Sequence, residues 1–422
     1  MKNTVRLPLT GVRVLELGHA WAGPHCAELL CDLGAEIIKV EPPEGDMLRG
    51  GRRRAGEGGT YSQGRQGSDP WNRAVVFNEI NRGKLSIGVD LQREEGKALL
   101  AKLLKISDIV ICNLTVGAME KLGLGYERLK AVKPDIILVT LNAYGLTGPW
   151  AKYRTYGVVL EPMCGFFSLT GYTDDEAPIR SGVDHIDPLS GAHAAGAALA
   201  ALLYRQKTGK GQHINLSFLE SAVNFIGPEI LEYTVNSRVR GHSGNRHSSM
   251  APHGCYRCQG DDQWVTIAIG CDEEWQNFCG AMGNPSWTKD EEFSTQSNRL
   301  KNQDKLDKLV ENWTSERDKY EVMHTLQRAG VASGCVLNTK ELLNDPHLRR
   351  RDYFHTTQRS DLGSLEVIGT RAKLSKTPTY VSGPPPRYGE HKDYVFGELL
   401  NMSTKQIDEL VDKGIIFTEP RS

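Results

Sequence analysis

The chain has 422 residues, too many for one simple core and enough for two or three domains. A formal net charge of −1 excludes the broad basic field of a nucleic-acid-binding protein. No run of about 18 apolar residues occurs, so no membrane span is expected. The opening MKNTVRLPLTG lacks the apolar core of a signal peptide. The nine cysteines are scattered, as in a protein of reduced thiols, and a cytoplasmic location is expected.

Taken in order, residues 12–17, VRVLEL, read as a buried strand. GHAWAGP follows, then a helix from about Pro24 to Leu33, and a second strand over 36–41, EIIKVE. Strand, helix and strand within so short a stretch form a βαβ unit and imply a parallel sheet. The pattern continues with strands at 84–90, 108–112 and 135–141 and a helix from about Glu94 to Lys105. This predicts an α/β fold: a doubly wound parallel-sheet large domain. Such sheets bind ligands beyond the carboxyl ends of their strands, which makes His19 to Pro24 a favoured contact. Gly18 and Gly23 do not fit G-x-G-x-x-G, and no phosphate-binding G-x-x-x-x-G-K-[ST] is present.

Residues 42–77 form a long loop, glycine-rich from Gly50 to Gly67 and carrying Arg52, Arg53, Arg54 and Arg65. Arginine pairs with carboxylates through a two-pronged fork. The loop is therefore either a lid for an acidic substrate or a solvated surface segment.

The stretch 181–222 begins with Asp184, His185 and Asp187 and enters an Ala/Gly-rich helix from about Ser190 to Arg205. TGKGQ at 208–212 reads as a helix C-cap turn, and a strand follows over 213–217. Asp187-Pro188 suits a helix start, with Asp at the N-cap and Pro in the first turn. The positive end of a helix also keeps a carboxylate ionised, and an ionised carboxylate can attack an activated acyl group. The residues alone leave both roles open. No G-x-S-x-G elbow occurs.

Farther on, a helix is expected from about Glu220 to Val239, a strand over 263–269, and helices around 305–313 and 319–328. Together they predict a smaller α+β domain. Cys255 and Cys258 have C-x-x-C spacing, but no second pair completes a zinc site, so no metal is expected. A Pro-rich link at 376–391 and a last helix near 404–413 follow.

Several motifs together resemble family III CoA-transferases, the formyl-CoA:oxalate and carnitine type. They are L-x-G-V-R-V-L-E-L (9–17), A-G-P (22–24), L-G-A-E-I-I-K-V-E-P-P (33–43), G-D-M-L-R-G (45–50), L-G-L-G-Y-E (122–127), N-A-Y-G-L-T-G-P (142–149), T-G-K-G-Q (208–212) and L-E-S-A (219–222). Weaker matches extend through 251–256 and 351–354. The resemblance implies an interlocked dimer. It also implies a large domain over 1–225, a linker over 226–244, a small domain over 245–345, a return linker over 346–388, and a C-terminal segment, 389–422, on the large domain. By resemblance the catalytic aspartate is Asp187, ahead of Ser190-Gly191-Ala192-His193. It would accept the acyl group from an acyl-CoA and pass through an anhydride and an aspartyl-CoA thioester. The CoA contacts implied are His19, Ala20, Ala22, Asn113, Lys121 and Arg154. Coenzyme A is a substrate, with no permanently bound cofactor.

Departures from the oxalate enzyme fall at Trp21, at Gly51 beside Arg52, and at Gly157 after Tyr156. A larger acceptor is therefore expected, such as a substituted succinate, with succinyl-CoA as donor. The alternatives are an α-methylacyl-CoA racemase, which would need a histidine base where Thr155-Tyr156-Gly157 stands, and a subunit of a heteromeric transferase. A homodimer or a heteromer with a related subunit is expected, with no membrane or nucleic-acid partner.

Overall fold

A computed structural model describes residues 6–49, 61, 64, 67–172 and 177–421. Gly51, Arg52 and most of the arginine-rich stretch lie outside the described residues. The chain divides into two compact units. The first takes in the described residues of Met1–Phe166, Gly182–Leu231 and Arg349–Ser422, and the second those of Phe167–Ser181 and Glu232–Leu348.

The first unit is built on a seven-stranded sheet. Its strands are β1 (Arg13–Glu16), β2 (Glu36–Glu41), β3 (Leu85–Val89), β4 (Ile109–Cys112), β5 (Ile137–Asn142) and β6 (His213–Ser217), all parallel. The chain's last strand, Ile416–Phe417, pairs antiparallel with β3, and the spatial order is last strand–3–2–1–4–5–6. The order reverses between β1 and β4, which is where an open α/β sheet forms its ligand crevice.

The strands are apolar on both faces, as a parallel sheet covered by helices on both sides requires. Val14, Ile37, Ile109 and Ile137 stand in register across four strands and belong to one core. Leu15, Ile38, Val110 and Leu138, one position on, belong to the other. On the first side lie the helices Ala22–Asp32 and Ile186–Thr208, contributing Cys26, Leu30, Ala194, Ala198 and Leu202. On the second side lies the helix Glu94–Lys105, with Leu99, Leu100, Leu103 and Leu104, joined by Val395, Phe396 and Ile407. Each fully buried Leu, Ile, Val or Phe among them contributes about 1.5–3 kcal/mol on burial.

The helix Ile186–Thr208 has a membrane span's length, but its small-residue stripe is a core contact. Gly191 is the tightest point: a Cβ there would stand 2.7 Å from the carbonyl oxygen of Ala22 and 3.1 Å from the Cys26 nitrogen. The expected turn at 208–212 is present, with Gly209 left-handed at φ 71° closing the helix. The helix expected over 220–239 is broken in two, Phe218–Val223 and Gly227–Asn236, where Pro228 can begin a helix but not continue one.

The second unit holds β7 (His253–Arg257), β8 (Trp264–Ala268) and β9 (Ala332–Cys335) as an antiparallel sheet. Helices Asp272–Ala281, Gln303–Thr314 and Lys319–Arg328 supply Trp275, Phe278, Leu306, Val310, Val322 and Leu326 to its core. The stretch Phe167–Ser181 goes with this unit because the loop closes on itself, Ile179 N–H donating to Thr170 O at 2.9 Å. Gly244 N–H then donates to Gly171 O at 2.8 Å. Residues 346–388, expected as a linker, carry an antiparallel hairpin, β10 (Phe354–Arg359) and β11 (Gly363–Ile368).

Candidate active site

The loop after β1 is fixed by buried charge. Glu16 and Lys39 are register partners on β1 and β2. The Lys39 ammonium lies 2.7 Å from Glu16 Oε1 and 2.9 Å from Asp46 Oδ2, and donates to Gly18 O at 2.9 Å. Lys84 takes the other Glu16 oxygen at 2.7 Å and donates to Pro24 O at 2.7 Å. Two lysines thus hold both ends of the stretch Gly18–Pro24. Burial alone would lower the Lys39 pKa, but Asp46 and Glu16 raise it above the usual lysine range. Burial would raise Asp46, yet Lys39 holds it below the usual range, so both stay charged.

Between these anchors, Asn113 clamps the backbone of one residue, His19, from both sides. Its Oδ1 accepts from His19 N–H at 2.8 Å and its Nδ2 donates to His19 O at 2.7 Å. Ala20 takes the left-handed conformation at φ 58°, and its N–H donates to Asp46 Oδ1 at 3.3 Å. Trp21 then caps the helix that begins with Ala22. The tight packing explains the two glycines: a Cβ at Gly18 or Gly23 would meet Asn113 at 3.1–3.2 Å.

A pocket of about 140 Å³ sits at the carboxyl ends of β1 to β4, walled by Leu17, Val40, Pro42, Val89, Leu91 and Leu114, with His19 among its lining. Burial lowers the His19 pKa, so its ring is neutral at pH 7. Lys121 ends the helix Ala118–Lys121 and is exposed, next to Leu122 of the pocket wall. A broader concavity of about 800 Å³ lies in the second unit. There Arg246 pairs with Asp304 and Asp307, and Tyr256 donates to Asp307 at 2.9 Å, so its charges largely satisfy one another.

Asp187 is not an N-cap. The helix starts earlier than its alanine pattern suggests, with His185 at the cap, and Asp187 is the second residue of the first turn. Pro188 fits there because first-turn N–H groups have no helical partner. The carboxylate faces two neighbouring elements of the first unit. One is the start of the helix Ala22–Asp32, whose Ala22 N–H is near enough to lower the carboxylate's pKa. The other is Gly157, first residue of the helix Gly157–Met163, where an added Cβ would fall 2.1 Å from Asp187 Oδ2. Burial, Asp184 and Glu161 push the Asp187 pKa up to about 6, and the Ala22 N–H opposes them. Glu161 is itself buried, and its Oε1 accepts from the His185 N–H at 3.2 Å.

The structure therefore brings Trp21, Ala22, Tyr156 and Asp187 to one place, through the helix starts they belong to. Tyr156 caps the helix Gly157–Met163 and is 69% exposed. Arg154 is exposed two residues earlier. His19, Ala20 and Asn113 form the adjoining loop. Sequence reasoning missed Glu16, Lys39, Asp46 and Lys84. The signal was present as two opposite charges inside otherwise apolar strands, VLEL and IIKVE, because a charge in a doubly covered strand needs a partner. Among the described residues no group of three or more His, Cys, Asp or Glu side chains is placed to hold a metal ion.

A doubly wound sheet with a pocket at its carboxyl edge, and a half-buried acid where helix starts meet, define an α/β protein of the kind that binds ligands beyond the carboxyl ends of its strands. The chain belongs to CoA-transferase family III, whose sequence profile matches residues 9–392. A protein of Chloroflexus aurantiacus named succinyl-CoA–D-citramalate CoA-transferase is 33% identical over 97% of this chain and 98% of its own length. One of Agrobacterium fabrum named succinate–glutarate CoA-transferase is 30% identical over 93% and 96%. Among solved structures, a CAIB/BAIF family protein from Brucella suis superposes with a TM-score of 0.83 at 31% identity, covering 93% of this chain and 99% of that one.

Proposed function

We propose that the enzyme moves CoA from succinyl-CoA to a five-carbon dicarboxylate, with Asp187 as the acyl-accepting group. The observation that carries this reading is the Asp187 carboxylate, half-buried in a first helical turn and met by the Ala22 N–H. The names of the two relatives support a succinyl donor and an acceptor such as citramalate or glutarate.

In this mechanism an Asp187 oxygen attacks the thioester carbonyl. The C–S bond breaks, CoA thiolate leaves with the electron pair, and a mixed anhydride remains. The thiolate then attacks the Asp187 acyl carbon, the C–O bond breaks, and succinate departs, leaving an aspartyl-CoA thioester. An acceptor carboxylate attacks that thioester and expels the thiolate. The thiolate attacks the acceptor's acyl carbon and frees the Asp187 carboxylate. No proton is consumed or released. The Ala22 N–H stabilises negative charge that builds on oxygen in the tetrahedral steps. The adenine of CoA suits the apolar pocket beside His19, and Ala20, Ala22, Asn113, Lys121 and Arg154 complete the CoA side. Trp21 and Tyr156 form the acceptor side. The protein works as a dimer, with itself or with a related subunit.

Two outcomes test this. Asn113→Ala removes both bonds to the His19 backbone, and at about 1 kcal/mol each the KM for acyl-CoA is expected to rise roughly thirtyfold with kcat little changed. An unchanged KM would remove the loop from CoA binding. The second outcome is a pH profile. Asp187 attacks only when ionised, so kcat/KM should climb with pH and level off above an apparent pKa of about 6. Its stability effect has the opposite sign. The folded pKa lies above the unfolded value of about 4, so the folded state binds the extra proton and gains stability as pH falls from about 6 towards 4. A kcat/KM flat from pH 5 to 8 would count against an ionised Asp187.

A further inference from the structure

The glycine at 157 has no backbone reason to be there. It begins a helix with an ordinary negative φ, a position that alanine fills with better helix propensity. Among the described residues, outside its own helix backbone and chain neighbours, the only atoms within 4 Å of an added Cβ are Oδ2 of Asp187, at 2.1 Å, and its Cγ, at 3.3 Å. A side chain at 157 would thus meet the carboxylate. Gly191, one turn beyond Asp187, makes room instead for backbone, the Ala22 carbonyl and the Cys26 nitrogen.

We infer that Gly157 is a positioning residue: its missing side chain lets the Asp187 carboxylate rest against the start of helix Gly157–Met163, within reach of the Ala22 N–H. This rests on the reading of Asp187 as the acyl-accepting group. A Cβ at 157 would have to be cleared by about 1 Å to restore van der Waals contact, and a displacement of that size at a reacting atom lowers rate by about a hundredfold. The residue supplies no reacting group of its own. It acts through the rotamer of its neighbour.

The test is Gly157→Ala, with Gly157→Ser as a second size step. The expected result is a kcat lower by about a hundredfold, with the CoA dissociation constant by calorimetry and the KM for succinyl-CoA within threefold of the parent. The acid limb of the pH profile should also move away from its parental value, because the carboxylate leaves its seat. If Gly157→Ala is poorly folded, the double variant Gly157→Ala, Asp187→Ala removes the carboxylate that clashes and should regain the melting temperature of Asp187→Ala. Failure to regain it overturns the steric origin. A Gly157→Ala enzyme with kcat within threefold of the parent and an unmoved acid limb overturns the inference. Asp187→Asn is assayed alongside. If that variant is dead while Gly157→Ala is active, only the positioning role fails; if Asp187→Asn turns over, the nucleophile reading fails as well.

Discussion

Asp187→Ala and Asp187→Asn are expected to lose more than about a thousandfold in kcat, the scale on which covalent nucleophiles fail when removed. The loss should fall on turnover and spare binding. The apolar pocket beside His19 and the loop anchors Lys39, Lys84 and Asn113 do not depend on Asp187. CoA affinity is therefore expected within about threefold of the parent. Asparagine is the sharper substitution because it keeps the shape and the hydrogen-bond acceptor for Ala22 while removing the charge. Incubation with succinyl-CoA and hydroxylamine should convert Asp187 to its hydroxamate in the parent, read by peptide mass. Labelling at Asp184 in its place would move the nucleophile three residues upstream. Turnover by Asp187→Asn above a tenth of the parent would end the proposal.

The second large effect is on stability. Lys39→Met should cost about 3–5 kcal/mol, the range for breaking a buried ion pair from one side. The reason is what remains: Asp46 and Glu16 stay buried, and both lose a partner, while Gly18 O loses its donor. Denaturant midpoints for the first unit measure this. Lys39→Met with Asp46→Asn removes one stranded charge and should recover part of the loss. Lys84 still reaches Glu16, so recovery need not involve that group. A Lys39→Met protein as stable as the parent would mean that water replaces the ammonium in the native state.

The fold was largely legible in the sequence because it is carried by local pattern. Glu36–Glu41 and Glu94–Lys105 appear where their apolar periodicity put them. What local pattern could not carry was anything decided by a distant partner. β7 and β9 are short and mixed in polarity, and only pairing with β8 makes them strands. The hairpin Phe354–Ile368 has the same character. At the site, Asp187 was visible through its place before Ser190-Gly191-Ala192-His193. Its local role was misread, because alanine content marks the middle of a helix better than its first turn. Gly157 was noticed only as a departure, since its reason lies 30 positions away in sequence. The four buried charges were overlooked although each lies in or beside a strand that was assigned.

The last strand gives the sheet an order of completion. Residue 416 pairs with residue 89, the Asp90 N–H donates to Ile415 O at 3.0 Å, and the Tyr388 hydroxyl donates to Pro42 O at 2.8 Å. Gly88 leaves the space beneath that ring, a Cβ there falling 2.5 Å from the hydroxyl. Val89 and Pro42 are both walls of the pocket beside His19. During synthesis, then, the β3 edge and one pocket wall wait for residues made long after them. A nascent chain stalled before residue 388 carries an unpaired edge and an unbraced pocket, a state in which contact with a second chain competes with closure. Synthesis of residues 388–417 is in this sense the step that closes the β3 edge and braces the pocket.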